Sequence, residues 1–285
     1  MTCPPLDFSV PYTVYPPESL QAPFEDVTLA LLPIGANLGF AGANNTGMHY
    51  ALSRADFDYF WLLNNDTVVK PDTLTKLVQR MEEKPDAGLC GATILHYSSP
   101  DKVQALGGGY YCRWIGLPWH QGRFKKASDP VNRKRVEAWM NYVVGASMLV
   151  SRQFIEDIGF MCEDYFLYFE ETDWAMRSKG KYALAYAPEA VVYHKIGASI
   201  GTSSDPRKKS PVCDYYSIRN RLFFTARYFP LALPTVYLVL IGALLIRCLL
   251  GKWDRARMIL KLMMNYRKVN PEFANRNRAG CSPIT

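Results

Sequence analysis

The sequence predicts an α/β fold with a mostly parallel central sheet, and three observations lead to it. The run Tyr59-Phe60-Trp61-Leu62-Leu63 is wholly apolar, as a strand covered on both faces is, and it stops at Asn64-Asn65-Asp66. Pro71 and Asp72 then open a helix to about Glu83, and residues 88–95 read as another strand. Third, 285 residues that are 49% hydrophobic suffice for one large core plus an appendage. Strands alternating with helices in this way are the pattern of an α/β sheet.

Residues 1–26 are Pro-rich and lack a period, so they are expected to be irregular. Residues 27–32 read as the first strand, the Gly/Asn-rich residues 35–47 as a loop, and residues 48–54 as a helix. After residue 95 comes a loop-rich stretch holding Gly107-Gly108-Gly109 and a basic segment. Residues 142–150 then read as a strand broken by Gly145, residues 170–179 as a helix stopped by Gly180, and residues 183–193 as a final strand pair. Residues 229–246 are uncharged and almost entirely apolar, and Arg247, Lys252, Arg255, Arg257 and Lys261 follow them. That length is the lower limit for crossing a bilayer, and Pro230 and Pro234 interrupt its start. A span, a re-entrant helix, a membrane-surface helix and a core helix all fit. The expected organisation is an irregular start (1–26), a catalytic-type domain (27–227), an apolar and basic helical region (228–270) and a flexible tail (271–285).

A net charge of +7 favours anionic partners: phosphates, nucleotides, nucleic acid or acidic lipid headgroups. Nucleic acid is disfavoured, because Tyr110, Trp114 and Trp119 near basic residues do not repeat and no RNA-binding signature is present. The seven cysteines are odd in number, scattered and free of any C-x-x-C pair, so a reduced compartment is expected. No apolar leader opens the chain, which places its body in the cytoplasm.

Asn64-Asn65-Asp66 stands where ligands collect in open α/β sheets, and Asp66 there can hold a hard divalent cation on a diphosphate. A turn or a helix cap needs the same residues. Glu170, Glu171 and Asp173 share the first turn of a helix, where the macrodipole welcomes negative charge without catalysis, and Asp173 can pair with Arg177 four residues on. The aromatic run Tyr165-Phe166-Leu167-Tyr168-Phe169 just before them would desolvate a carboxylate and lift its pKa towards that of a general base. His194 ends an apolar strand and reads as a metal ligand or a core residue. The segment Gly39 to Gly47 lets backbone N–H groups approach a phosphate, although it lacks the Rossmann and Walker spacings.

In this order the segments resemble the family 2 glycosyltransferases of the GT-A fold, particularly their rhamnosyltransferase-like and galactofuranosyltransferase-like branch. The resemblance rests on Asn37-Leu38-Gly39-Phe40-Ala41-Gly42-Ala43-Asn44-Asn45, Leu62-Leu63-Asn64-Asn65-Asp66-Thr67, Gly145-Ala146-Ser147-Met148-Leu149-Val150, Phe166-Leu167-Tyr168-Phe169-Glu170-Glu171-Thr172-Asp173, and His194. It continues through Tyr215-Tyr216-Ser217-Ile218-Arg219-Asn220-Arg221 and covers roughly residues 27–227. It implies an inverting glycosyltransferase of the hexosyl or rhamnosyl type, taking a sugar from a UDP- or dTDP-sugar to a hydroxyl of a glycan or lipid-linked acceptor. That chemistry belongs to cell-surface polysaccharide synthesis at the cytoplasmic face of the inner membrane. By the resemblance, Asp66 and His194 hold Mg²⁺ or Mn²⁺. Asn37, Gly39, Asn44, Asn45, Asn64 and Asn65 join Asp66 on the donor side. Glu171 is the general base, with Glu170, Asp173 and Gly145 on the acceptor side or in support.

In two respects the chain departs from the family pattern. Glu171 stands where the family usually has Asp, which keeps the chemistry and moves the carboxylate by a methylene. No counterpart of the family's opening strand, helix and second strand precedes residue 27, an expected loss of about 30 residues, the size of one βαβ unit. The alternative function is therefore a catalytically impaired, truncated relative serving as a membrane-associated scaffold or partner subunit.

Overall fold

The structure is a computed structural model that describes residues 13–15, 29–54, 57–195 and 210–266. The chain begins with β1 (Thr13–Val14), β2 (Ala30–Leu31), α1 (Gly39–Arg54), β3 (Tyr59–Leu63), β4 (Thr67–Val69) and α2 (Thr73–Glu82). Next come β5 (Ala87–His96), β6 (Ser99–Leu106), β7 (Gly108–Cys112), β8 (Leu117–His120), α3 (Arg133–Trp139), β9 (Tyr142–Val143), β10 (Ser147–Ser151) and α4 (Arg152–Ile158). It closes with α5 (Glu170–Arg177), β11 (Ala183–His194), α6 (Pro211–Tyr228), α7 (Leu233–Leu249) and α8 (Trp253–Asn265). Most of residues 1–26, residues 27 and 28 of the expected first strand and the expected tail lie outside the described residues.

Nine strands form one sheet around β5, whose first nine residues are all buried. The first half of β5 lies between β10, antiparallel with Leu149 opposite Cys90, and β11, parallel with Tyr186 opposite Gly91. In its second half β6 takes the place of β10. β3 flanks β10 antiparallel, with Leu63 opposite Ser147, and β4 flanks β11, with Thr67 opposite His194. Period-two alternation sorts β5 between two cores. Leu89 joins Phe60, Met148, Phe154 and Trp174 on one face, while Cys90 and Ala92 join Leu77, Met81 and Leu149 on the other. Trp174 is fully buried and donates its indole N–H to Gly159 O at 2.7 Å, so its aromatic area contributes roughly 2–3 kcal/mol without an orphaned donor.

Several expectations need correction. The sheet is mixed: β10 runs against both of its neighbours, and β6 to β9 pair antiparallel. The stretch between residues 95 and 142 contains three strands, β6 to β8, and helix α3; the strands are hidden in the sequence by Pro100, Pro118 and the glycine triplet, all poor strand formers. Residues 183–194 form one strand bulged between Ala187 and Val191, at Pro188, rather than a pair. Helix α1 starts at Gly39 instead of residue 48, because Asn37 Oδ1 accepts the Gly39 N–H at 3.0 Å and supplies the missing first-turn partner. In the region read as irregular, Thr13 and Val14 pair parallel with Ala30 and Leu31, so a strand precedes residue 27 after all. Cys162 is disulfide-bonded, contrary to the expectation of reduced thiols throughout, while Cys90, Cys112 and Cys248 are free thiols.

Helices α6, α7 and α8 share an apolar cluster of Tyr216, Leu222, Val236, Leu240, Ile259 and Leu262. Phe166, Leu167 and Tyr168, from the loop before α5, pack into it. The helical layer thus rests directly on the segment that leads into Glu170 and Glu171.

Candidate active site

The carboxyl ends of β3, β5 and β11 and the amino end of β10 share one end of the sheet, as their register requires. Asn64-Asn65-Asp66 turns the chain there between β3 and β4. The Asn64 N–H donates to Ala146 O at 3.1 Å, the Thr67 hydroxyl to Asn64 O at 2.6 Å, and the Lys195 N–H to Asp66 O at 3.0 Å. The turn is thereby fixed to the start of β10 on one side and the end of β11 on the other.

His194 Nε2 lies 3.1 Å from Asp66 Oδ1, a buried oxygen that receives no aligned hydrogen bond. On the other side of the ring, Nδ1 is 3.0 Å from Gln104 Oε1 of β6. In the tautomer whose Nδ1–H donates to that amide oxygen, the Nε2 lone pair faces the carboxylate. Burial holds the imidazole below its ordinary pKa, against the opposite pull of Asp66. Two acceptors at this distance suit a cation between them, and adjacent ligands on an octahedral ion with bonds of about 2.1 Å stand about 3 Å apart. The pair therefore fits a divalent ion. Among the described residues no cluster of three or more His, Cys, Asp or Glu side chains gathers.

Glu171 lies beside the lead-in to β10. Its carboxylate faces the N–H of Gly145, one residue before the Ala146 that holds Asn64, and its own N–H. Burial pushes its pKa up to about 7, with those N–H groups opposing. Glu170 is fully buried, its Oε1 has no partner, and burial reinforced by Glu171 raises its pKa well above the usual carboxylate value. The loop that delivers both acids is strained: Phe166, Tyr168 and Phe169 all have positive φ, from 64° to 77°. Asn220 of α6 holds it by donating its amide to Tyr165 O and Leu167 O, each at 2.8 Å, and to Tyr168 O at 3.1 Å.

Helix α1 abuts the same loop. Gly39 has φ +69°, a Cβ there would stand 2.3 Å from Phe166 O, and the Phe40 N–H donates to that oxygen at 3.0 Å. The site residues expected from the sequence do not all face this cleft. Asn45 is buried with both amide atoms engaged: Oδ1 accepts from Met161 N, and Nδ2 donates to Met161 O and Glu163 Oε1. Asn44 donates to Phe40 O within its own helix, Asn37 caps that helix, and Asn65 is exposed. Asp173 turns away into the core. There it accepts from Tyr165 at 3.0 Å, Tyr228 at 2.7 Å and Arg177 at 3.0 Å, the last being the i,i+4 pair its spacing suggested.

Three neighbours escaped the sequence reading: Gln104, His120 and Tyr142. Tyr142 OH is buried without a partner, within electrostatic reach of Glu171. The His120 ring centroid is 6.2 Å from that of Tyr142, and burial, with Arg123 and His194 adding to it, pushes its pKa down to about 4. A surface hollow lined by Asp58, Tyr59, Glu82 and Arg152 lies at the opposite, β3-start end and holds none of the expected site residues.

With this geometry in hand, comparison with known proteins decides the family. The model of glycosyl transferase family 2 matches residues 7–159, more than half of the chain. The chain belongs to glycosyl transferase family 2. The match begins before residue 27, consistent with a strand at Thr13–Val14. With the family comes a GT-A-like α/β fold. The low-salt glycan biosynthesis hexosyltransferase Agl10 of Haloferax volcanii is 26% identical over 147 residues, which are 51% of this chain and 44% of that relative. The chain thus matches less than half of that protein's length. A mannosyltransferase, PcManGT from Pyrobaculum calidifontis, solved with GDP-Man and Mn²⁺, is 14% identical with a TM-score of 0.44, covering 85% of this chain and 71% of its own.

Proposed function

We propose that this family 2 member is an inverting, metal-assisted glycosyltransferase of the hexosyl or rhamnosyl type, within the rhamnosyltransferase-like or galactofuranosyltransferase-like branch. Its donor is a UDP- or dTDP-sugar, and its acceptor is a hydroxyl of a glycan or lipid-linked glycan in cell-surface polysaccharide synthesis. Its place is the cytoplasmic face of a membrane, held through residues 229–246. The observation that carries the reading is the joint anchoring of two chemically different groups. Asn64, two residues before Asp66, is held by Ala146, and Gly145, the residue before Ala146, faces the Glu171 carboxylate, so both groups are referred to one lead-in to β10.

A divalent ion held by Asp66 and His194 would offset the negative charge of the nucleoside diphosphate. The chain's own chemistry follows from Glu171. A carboxylate with a pKa near 7 takes the acceptor hydroxyl proton at neutral pH as that oxygen bonds to the anomeric carbon. The bond from that carbon to the diphosphate oxygen breaks, and its electron pair leaves with the nucleotide. One base and one displacement invert the configuration, so no glycosyl-enzyme intermediate is needed. Glu170 and Tyr142 exclude water around the base, which keeps its pKa high.

The test is release of nucleoside diphosphate and glycosylated product from UDP- and dTDP-sugars with Mn²⁺. Glu171→Gln should abolish transfer while donor binding persists, and equal rates in variant and parent would remove Glu171 from the reaction. The second reading, an impaired relative acting as a scaffold, draws on β1 and β2, two residues each and in a sheet apart from the nine-stranded one. Absence of metal-dependent binding of either nucleoside diphosphate would favour it.

A further inference from the structure

Helix α7 is built inside out for a helix in water. Leu231 just before it, then Leu238, Ile241, Leu245 and Leu249, are all exposed at steps of three or four along its outer side, and Leu249 keeps 87% of its surface free. Its inner side carries the charge. Arg247 is buried there and donates to Asp214 of α6 at 2.8 Å, with Arg255 of α8 4.0 Å from the other carboxylate oxygen. Helix α8 continues the pattern, with Trp253, Arg257, Leu260 and Met264 exposed at steps of four, three and four. From residue 229 to 265 the only acid is Asp254, against Arg247, Lys252, Arg255, Arg257 and Lys261.

We propose that α7 and α8 dock in the plane of an anionic phospholipid bilayer, the outer leucines entering the acyl boundary and Arg257 and Lys261 meeting the headgroups. A crossing α7 would draw into the hydrocarbon the helices packed on its Val236, Leu240 and Arg247, and α6 and α8 carry the charged Asp214, Arg255 and Lys261. Residues 230–249 meet the length and hydropathy required for crossing, and the Arg247–Asp214 tie is what selects the in-plane arrangement. The inference gives residues to the membrane location proposed above and is independent of the catalytic reading.

The experiment is flotation of the full chain with vesicles of phosphatidylglycerol and phosphatidylcholine, against phosphatidylcholine alone, with no donor sugar present. Binding should require the anionic lipid, weaken in high salt and be released by alkaline carbonate. Leu238→Glu with Leu245→Glu should reduce it by roughly tenfold or more, and Arg257→Glu with Lys261→Glu should remove the preference for the anionic lipid. All four side chains are exposed, and an unchanged melting temperature would show that folding is intact. Bromines placed high on the acyl chains should quench Trp253 more than deep ones. Carbonate resistance with deep quenching would overturn the in-plane arrangement in favour of a span. Failure to float, or a dimer in solution that the Leu238/Leu245 variant dissociates, would overturn the lipid surface altogether. Because vesicle binding needs no transfer, it can fail or succeed whatever Glu171 does.

Discussion

The ring of Phe40 lies 2.9 Å from where a side chain on Gly145 would begin, so the start of α1 seals the residue whose N–H meets the carboxyl of Glu171. A Gly145→Ala substitution must push that ring aside or shift the backbone. The expected result is a kcat lowered by roughly tenfold, as the N–H leaves the carboxylate, with a stability loss of about 1–2 kcal/mol. Urea denaturation beside steady-state kinetics reads both.

The pH response of Glu171 has a definite sign. Its folded pKa is raised, so folding carries no penalty below the unfolded value near 4.5 and loses stability as pH climbs through about 7. Glu171→Gln should therefore raise the melting temperature at pH 8 and leave it unchanged near pH 4. In the parent, kcat should rise with pH to a plateau above about 7; a flat profile would argue against this base.

Asn220→Leu leaves three carbonyls of a strained loop without donors. Unfolding should become easier by roughly 2–4 kcal/mol, and kcat should fall further than KM rises, because the loop carries the base and not the donor site.

Gln104→Leu removes the oxygen that fixes the His194 tautomer. Mn²⁺-dependent binding of a nucleoside diphosphate should weaken by about 10–100-fold, measured by calorimetry, with metal-free binding unaltered.

Asp173 separates structure from chemistry. Asp173→Ala strips the partner from Arg177, Tyr165 and Tyr228 and should cost about 3–5 kcal/mol in stability, whereas Asp173→Asn, which keeps the shape, should retain measurable transfer. Complete loss of turnover in a folded Asp173→Asn protein would contradict this assignment.

What the sequence made legible is local. An apolar run ending in Asn64-Asn65-Asp66 places a carboxylate at a strand end without knowledge of the strand's neighbours, and an aromatic run before Glu170-Glu171 announces desolvation. The rest depended on pairing across long stretches of chain. Gln104 reaches His194 only because β6 replaces β10 beside β5, and Tyr142 nears Glu171 because β9 packs against α5. Asn45 misled for a similar reason: its motif position suggests a ligand, yet the chain at Met161, 116 residues later, claims both of its amide atoms.

Helix α6 carries Asn220, which grips the loop behind the two glutamates, and six residues earlier Asp214, which grips Arg247. One rigid rod therefore joins the lipid-facing layer to the reaction centre. With α7 lying flat on a bilayer, that rod sets the height of Glu171 above the headgroups, and it is this fixed elevation that would select how far an acceptor hydroxyl must stand from its lipid anchor.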